Sequence, residues 1–372
     1  MSTASKTGSR QEPALLEAAR GGDEDAFRRL VEGYDRELHA HCYRMLGSVH
    51  DAEDALQDAL LRAWRSVGRF EGRSSLRSWL YKIATNTCLD VIARRPKRVL
   101  PIDYGPAADP HNGPGEPLVE SVWIEPYPDE KLGLEDGLAG PEAHYEQRES
   151  VELAFIVALQ HLPASQRAVL ILREVLGFSA QEVAETLDTT TASVNSALQR
   201  ARKAVDERLP EQSQQETLRS LGDDELREIV DTYVDAWERN DVDTVVAMLT
   251  EDAGFAMPPL ASWFRGLEAI RIFLAGWPLS GDWRWRVVQT RANGQPALAY
   301  YTWDPDEEKF LPFALNVLTL RGNRIEQVDA FLTRSTEDPD RAVLARLPEQ
   351  PPDPPRMAAA FENFGLPDEV AR

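Results

Sequence analysis

The chain has 372 residues, 42% of them hydrophobic, with 41 Lys and Arg against 62 Asp and Glu, a formal charge of −21. That length suits two or three domains, each with a core of its own, and nine tryptophans exclude a wholly disordered chain. No apolar run approaches the ~20 residues a bilayer requires, the segment Met1–Asp25 lacks the apolar core of a secretion signal, and Cys42 and Cys88 are too few for a disulfide framework or a cysteine zinc site. These readings predict a soluble, cytoplasmic protein with no metal and no cofactor.

In chain order, residues 14–98 read as a helical module, because apolar residues recur at three-to-four spacing through AFRRLVEGYDRELHAHCYRMLG, DAEDALQDALLRAWRSV and SLRSWLYKIATNTCLDVIARR. Residues 99–141 hold too much Pro, Gly and acid for a helix or a core and read as a linker. Its apolar patch Trp123–Pro128 is expected to dock on a folded surface. Helical periodicity resumes over 142–209, and Pro210–Gln215 reads as a second, short linker. From 216 to 335 the texture changes: helices are predicted at Asp224–Arg239, Val242–Leu249 and Leu267–Trp277. Strand-like runs follow, separated by the hairpin signals Asn293-Gly294 and Gly322-Asn323. Residues 336–372 read as a Pro-rich tail. The fold class is therefore multidomain: two all-α modules followed by an α+β domain.

Charge is distributed unevenly. From Arg62 to Arg98 ten basic residues meet only Glu71 and Asp90, a net +8; from Pro101 to Glu146 eleven acids meet only Lys131, a net −10. A basic block beside an acidic one is more informative than the overall negative charge.

Residues 179–204 have a distinct pattern. Ser179 and Glu182 match a capping box, Val183, Ala184 and Leu187 give the following helix an apolar face, Asp188-Thr189-Thr190 makes a turn, and Thr191 is placed as the next N-cap. In the second helix Val194, Leu198, Ala201 and Val205 face inward. Ser193, Asn195, Ser196, Gln199, Arg200, Arg202 and Lys203 are left outside. A short helix, a tight turn and a polar, basic second helix form the helix-turn-helix pattern, whose second helix enters the major groove. Upstream, DAEDALQDALLRAWR is amphipathic, with Asp51 placed to cap and Ala52, Ala55, Leu56, Ala59, Leu60, Ala63 and Trp64 forming the buried stripe. The next segment interleaves Phe70, Trp79 and Tyr81 with basic residues, a mixture suited to unstacked single-stranded bases.

On these residues the chain resembles the sigma-70 family, specifically its small extracytoplasmic-function members. Residues 51–64 are similar to that family's region 2 signature, 73–95 to its promoter-melting segment and 159–205 to its region 4. The resemblance implies binding of core RNA polymerase through Asp51, Glu53, Asp54, Gln57, Asp58 and Arg62, and of the −10 element of promoter DNA through Arg73, Arg77, Trp79, Lys82, Asn86, Arg94 and Arg95. It assigns the −35 element to Ser193, Asn195, Ser196, Gln199, Arg200, Arg202 and Lys203. Three positions depart from the family pattern: Leu60 stands where an aromatic is common, and Asn195 and Ala197 where cations are frequent. Fewer cations weaken phosphate attraction, and Asn195 suits an adenine edge.

Residues 223–335 resemble the SnoaL-like, nuclear-transport-factor-2-like cone, through Met257-Pro258-Pro259, Trp263 with Arg265-Gly266, and the final strand Val328–Thr333. Trp263, Tyr301 and Asp329 are the candidate pocket residues for a small-molecule ligand. All six histidines precede this domain, so it has no His for proton transfer, and no catalytic residue is assigned. The functional expectation is a transcription initiation factor whose cone regulates it in cis; the rival is an isomerase- or cyclase-like enzyme fused to a DNA-binding module.

Overall fold

The computed structural model describes residues 5–113, 123–132, 147–305, 307–332 and 361–371. Glu116, Glu120, Glu135, Asp136, Glu142 and Glu146 of the acidic block, Thr333 and most of the tail lie outside them. The chain forms two compact units, one of residues 1–97, 131–133 and 158–208, the other of residues 98–130, 134–157 and 209–372.

The first unit is helical. Helices α1 (Ser5–Arg20), α2 (Glu24–Val31), α3 (Asp35–Leu46), α4 (Val49–Ser66) and α5 (Leu76–Ile92) come first. Leu38, Tyr43, Met45, Ala52, Ala55, Ala59, Ala63, Leu80, Ala84 and both cysteines are buried where α3, α4 and α5 meet. Helix α4 is capped by Ser48, whose hydroxyl accepts from the Asp51 amide at 3.1 Å; the cap expected at Asp51 therefore lies three residues earlier. In the second unit a one-turn helix, α6 (Pro101–Tyr104), departs from the expectation that the linker holds none. Its Pro101 sits at the start, where the missing N–H costs nothing. The later helices are α7 (Leu153–His161), α8 (Ala164–Leu170) with a π-helical turn after it (Ile171–Val175), α9 (Ala180–Thr186) and α10 (Thr191–Asp206). The capping box at α9 is present on both sides. Thr190, not Thr191, caps α10, accepting from the Ser193 amide at 3.2 Å.

The second unit carries α11 (Gln214–Glu238), α12 (Val242–Ala247), α13 (Leu267–Gly276) and a six-stranded sheet. The strands are β1 (Leu249–Ala256), β2 (Trp263–Arg265), β3 (Trp285–Ala292), β4 (Gln295–Asp304), β5 (Lys309–Arg321) and β6 (Arg324–Leu332), in the order β2-β1-β6-β5-β4-β3. Only β1 and β6 pair parallel. Helix α11 begins ten residues before the predicted Asp224, at a Ser213–Glu216 capping box, and bends at Gly222 (φ 75°). The helices cover one face of the sheet, and Trp237, Phe255, Phe273, Trp285, Tyr300 and Phe313 fill the space between.

Candidate nucleic-acid and partner interfaces

Helix α4 buries one stripe and exposes the other. Glu53, Asp54, Gln57 and Asp58 are exposed, and Leu61, three and four residues beyond Asp58 and Gln57, is 52% exposed beside them. Positions 54, 57, 58 and 61 share one helical face, so an apolar side chain stands in water among carboxylates. Arg62 is exposed and bonds Asp90 at 2.8 Å. Asp51 is not on that face. It falls on the Ala55–Ala59–Ala63 stripe, is 6% exposed, and its carboxylate engages Arg95. Two residues expected to meet different partners thus meet each other.

Helix α5 starts at Ser75, which caps it by accepting from the Ser78 amide at 3.0 Å. Trp79, Lys82 and Asn86 recur at i, i+3 and i+7 along one side. Trp79 is half-buried against Phe70, ring centroids 4.9 Å apart, and Asn86 is also half-buried. Arg73 is exposed and pairs with Glu71 at 2.6 Å, and Arg94 is exposed. The Arg77 guanidinium lies 4.9 Å from the ring centroids of both Tyr81 and Phe178. Lys82 reaches the Glu185 carbonyl at 2.5 Å and the Asp188 carboxylate at 2.9 Å.

On α10, Val194, Leu198, Ala201 and Val205 are buried, whereas Ser193, Asn195, Ser196, Gln199, Arg200, Arg202 and Lys203 are all exposed. Arg200 donates to Ser196 at 2.7 Å and Arg202 pairs with Glu174 at 2.7 Å. The inward and outward residues expected on this second helix therefore lie on those sides of it.

The three pocket candidates in the sheet domain do not line its interior. Side chains alternate across a strand, and Tyr300, Ala330 and Leu332 face the aromatic interior, leaving Tyr301 and Asp329 on the opposite side. Tyr301 donates to the Pro367 carbonyl at 2.9 Å and packs on Phe361, and Trp263 donates to the Gly105 carbonyl at 2.8 Å. Tyr301 thus holds the tail and Trp263 the linker. Asp329, 2% exposed, accepts from Gln327 at 3.0 Å, and burial pushes its carboxyl up to about 7. The interior is nearly filled: a cavity of about 20 Å3 remains among Trp237, Phe273, Trp277, Trp285, Tyr300 and Phe313.

Sequence reasoning missed a polar clamp at the β3–β4 turn. Asn293 is fully buried at φ 55°. Its side chain accepts from the Tyr127 amide at 2.8 Å and donates to the Val151 carbonyl at 2.7 Å, and its own amide donates to the Tyr127 carbonyl at 2.8 Å. Gly294 donates to Asp129 at 2.7 Å, and the Gln295 side chain accepts from the Leu153 amide at 2.9 Å. Glu152 accepts from the amides of Gln215 (2.8 Å) and Gln214 (3.2 Å) at the start of α11, and Gln215 donates to the Gly294 carbonyl at 2.7 Å. Burial pushes the Glu152 carboxyl up to about 7 against those two amides. The expected docking of Trp123–Pro128 takes this form: Trp123, Ile124 and Tyr127 are buried, and Pro128 bridges to Ala292. The sequence showed Asn293-Gly294 as a turn, but nothing in it paired that turn with residues over 140 positions away.

Comparison with known proteins agrees with this geometry. Sigma-70 region 2 matches residues 30–98, Sigma-70 region 4 matches 152–205, and the SnoaL-like domain matches 230–343. The chain is 43% identical over 346 residues to the ECF RNA polymerase sigma factor SigG of Mycobacterium tuberculosis, covering 92% of this chain and 85% of that one. The chain belongs to the ECF RNA polymerase sigma factors. The sigma factor SigW of Bacillus subtilis is 29% identical over 196 residues, 52% of this chain and 94% of SigW. The crystal structure of the M. tuberculosis sigma factor SigJ shares the fold, with a TM-score of 0.51 and 22% identity over 84% of this chain and 97% of that one. This sigma factor thus joins two helical sigma modules to a SnoaL-like α+β domain. No helix among its described residues is long and apolar enough to cross a membrane.

Proposed function

We propose that this sigma factor docks on core RNA polymerase through the α4 face formed by Glu53, Asp54, Gln57, Asp58 and Arg62, with Leu61 as the apolar anchor. The face itself carries this reading: Glu53, Asp54, Gln57, Asp58 and Leu61 are all exposed on one side of α4, within the residues that sigma-70 region 2 matches. Asp51 and Arg95 orient α4 against the end of α5. Trp79 and Asn86, with Arg73, Arg77, Lys82 and Arg94, take the opened −10 strand, where stacking at about 1–3 kcal/mol per base helps offset unpairing. The exposed face of α10 reads the −35 element. The chain acts in the cytoplasm, where core polymerase is. Run-off transcription with core polymerase tests the assignment: Leu61→Ala should lower the concentration-dependent yield about tenfold, and full yield at limiting sigma factor would remove α4 from the interface.

The SnoaL-like domain acts in cis. Its aromatic interior keeps a cavity of only about 20 Å3, far below the 300–1,000 Å3 of ordinary ligand sites, whereas the clamp at Asn293 grips both the linker and the residues leading into region 4. Loosening it with Gln295→Ala and Gln215→Ala should change promoter-directed transcription severalfold; unchanged transcription would leave the domain without a regulatory role.

A further inference from the structure

In the second unit a cavity of about 460 Å3 opens where the start of α11, the β3–β4 hairpin, the linker and the tail come together. That volume falls within the roughly 300–1,000 Å3 of ordinary ligand sites, unlike the space left in the aromatic interior. One part of its wall is apolar: Leu226 and Val230, one turn apart on α11, Pro296 and Ala297 on β4, and Phe364 of the tail. All of these but Leu226 are buried. Another part is charged, because Arg148, Arg227 and Arg291 all line it.

These three guanidiniums are not equivalent. Arg291 pairs with Asp129 at 3.3 Å and donates to the Gly294 carbonyl at 3.2 Å, and Asp129 also accepts from the Gly294 amide at 2.7 Å. Arg227 pairs with Asp224, three residues earlier on the helix, at 3.1 Å; both are exposed, so the pair is weak and exchangeable. Arg148 is half-buried, and its Nε is buried without a hydrogen-bond partner. The turn makes room for it: Gly294 sits at φ 69°, and a Cβ there would stand 3.0 Å from the Arg148 Cβ. A buried donor on a charged group is costly to leave unanswered, and the Asp129 carboxylate has Arg291 and the Gly294 amide for partners. Glu130 and Asp223 also line the cavity but stand exposed, where water and salt screen them. The unanswered donor inside calls for an acceptor brought from outside.

We propose that this cavity binds a small organic anion, one carboxylate or phosphate group on an apolar body. Arg148 and Arg227 receive the anion, whose oxygens match the planar guanidinium fork, and Leu226, Val230, Ala297 and Phe364 enclose the body. The site is separate from Trp263, Tyr301 and Asp329, and it does not depend on how the domain acts on transcription. Because linker, α11 and tail each supply part of the wall, an occupant adds contacts to all three and stabilises the folded chain.

Three probes sharing one ring system test this on the full chain by titration calorimetry and thermal melting: 1-naphthoate, 1-naphthyl phosphate and the neutral 1-naphthalenemethanol. At least one of the two anions should bind about tenfold or more tighter than the alcohol, as expected for a hydrogen bond to a buried charge, and should raise the melting temperature. The tighter of the two identifies a carboxylic acid or a phosphate ester as the ligand class. Arg148→Gln should weaken that anion about tenfold while leaving the alcohol within about twofold. Arg227→Gln, at an exposed position where folding is not at risk, should weaken it about threefold. Leu226→Trp, which fills the cavity from α11, should weaken anion and alcohol alike. Anions that bind no tighter than the alcohol, or equally well to wild type and to Arg227→Gln and Arg148→Gln, would overturn the site, as would the absence of binding by all three probes. If Arg148→Gln does not fold, the Arg227→Gln comparison decides alone.

Discussion

The face of α4 and the turn at Asn293 are both polar, and they are built on opposite terms. On α4 the acids Glu53, Asp54 and Asp58 stand in water around the exposed Leu61. At the β3–β4 turn Asn293 and Gln295 are buried, and their side chains are answered by segments near residues 127 and 152, with Glu152 in turn holding the amides at 214 and 215. Buried polar groups are costly to leave unpaired, whereas exposed ones exchange partners with water. The first region should therefore tolerate substitution in stability but not in binding, and the second the reverse.

The sharpest test of that contrast is Asn293→Ala. It strips partners from the buried Tyr127 amide and the Val151 carbonyl and places Ala at a positive φ, and should destabilise the sheet unit by about 2–4 kcal/mol. Urea denaturation followed by tryptophan fluorescence would read the loss; stability within 0.5 kcal/mol of wild type would mean that the clamp contributes nothing.

Glu152 offers a pH test of the same region. Its carboxyl titrates at about 7 in the folded chain against 4.5 for the free group, so between those values the folded state holds a proton that the unfolded state has released. Its contribution is then greatest below about pH 4.5 and falls as pH rises toward 7, by about 3 kcal/mol at 1.36 kcal/mol per unit. Glu152→Gln should flatten the difference in denaturation midpoint between pH 5 and pH 8; an unaltered pH profile would place the titration elsewhere.

On the α4 side, Leu61→Ala should weaken core polymerase binding about tenfold, equivalent to about 1.4 kcal/mol, while moving chain stability by less than about 0.5 kcal/mol. Asp54→Ala with Asp58→Ala should act in the same direction. Competition against labelled wild-type sigma factor would measure both, and a fall in stability with no loss of binding would erase the distinction between the regions. The smallest effect is expected at Lys203, exposed on α10. Lys203→Ala should reduce the dependence of log affinity on log salt for promoter DNA by about 0.9 if it contacts one phosphate. An unchanged slope would place Lys203 off the DNA.

The parts of the molecule that were legible in advance share one property: their signal is local. The outward residues of α10, the acidic side of α4 and the capping box at Ser179 follow from helical spacing and from side chains that reach amides two or three residues away. The misplacements arose where a residue has two local readings. Asp51 looks like a surface acid or a cap by type, yet the helix phase set by Ser48 turns it into the Ala55–Ala59 stripe against Arg95. Tyr301 and Tyr300 are adjacent and identical, and only the facing of β4 decides which enters the interior.

The sequence by itself determined the main helices of the sigma modules, which of their faces are polar, and that the basic and acidic blocks lie side by side in the chain. Only the tertiary structure decided that the cone interior is packed with aromatic side chains, that Trp263 secures the linker and Tyr301 the tail, that the Asn293 turn clamps the linker, and that α9 lies over α5. The physical reason is range. Helix periodicity and capping are set by neighbours within one or two turns, but a buried hydrogen bond between residues 127 and 293 depends on two surfaces brought together by the packing of everything between them.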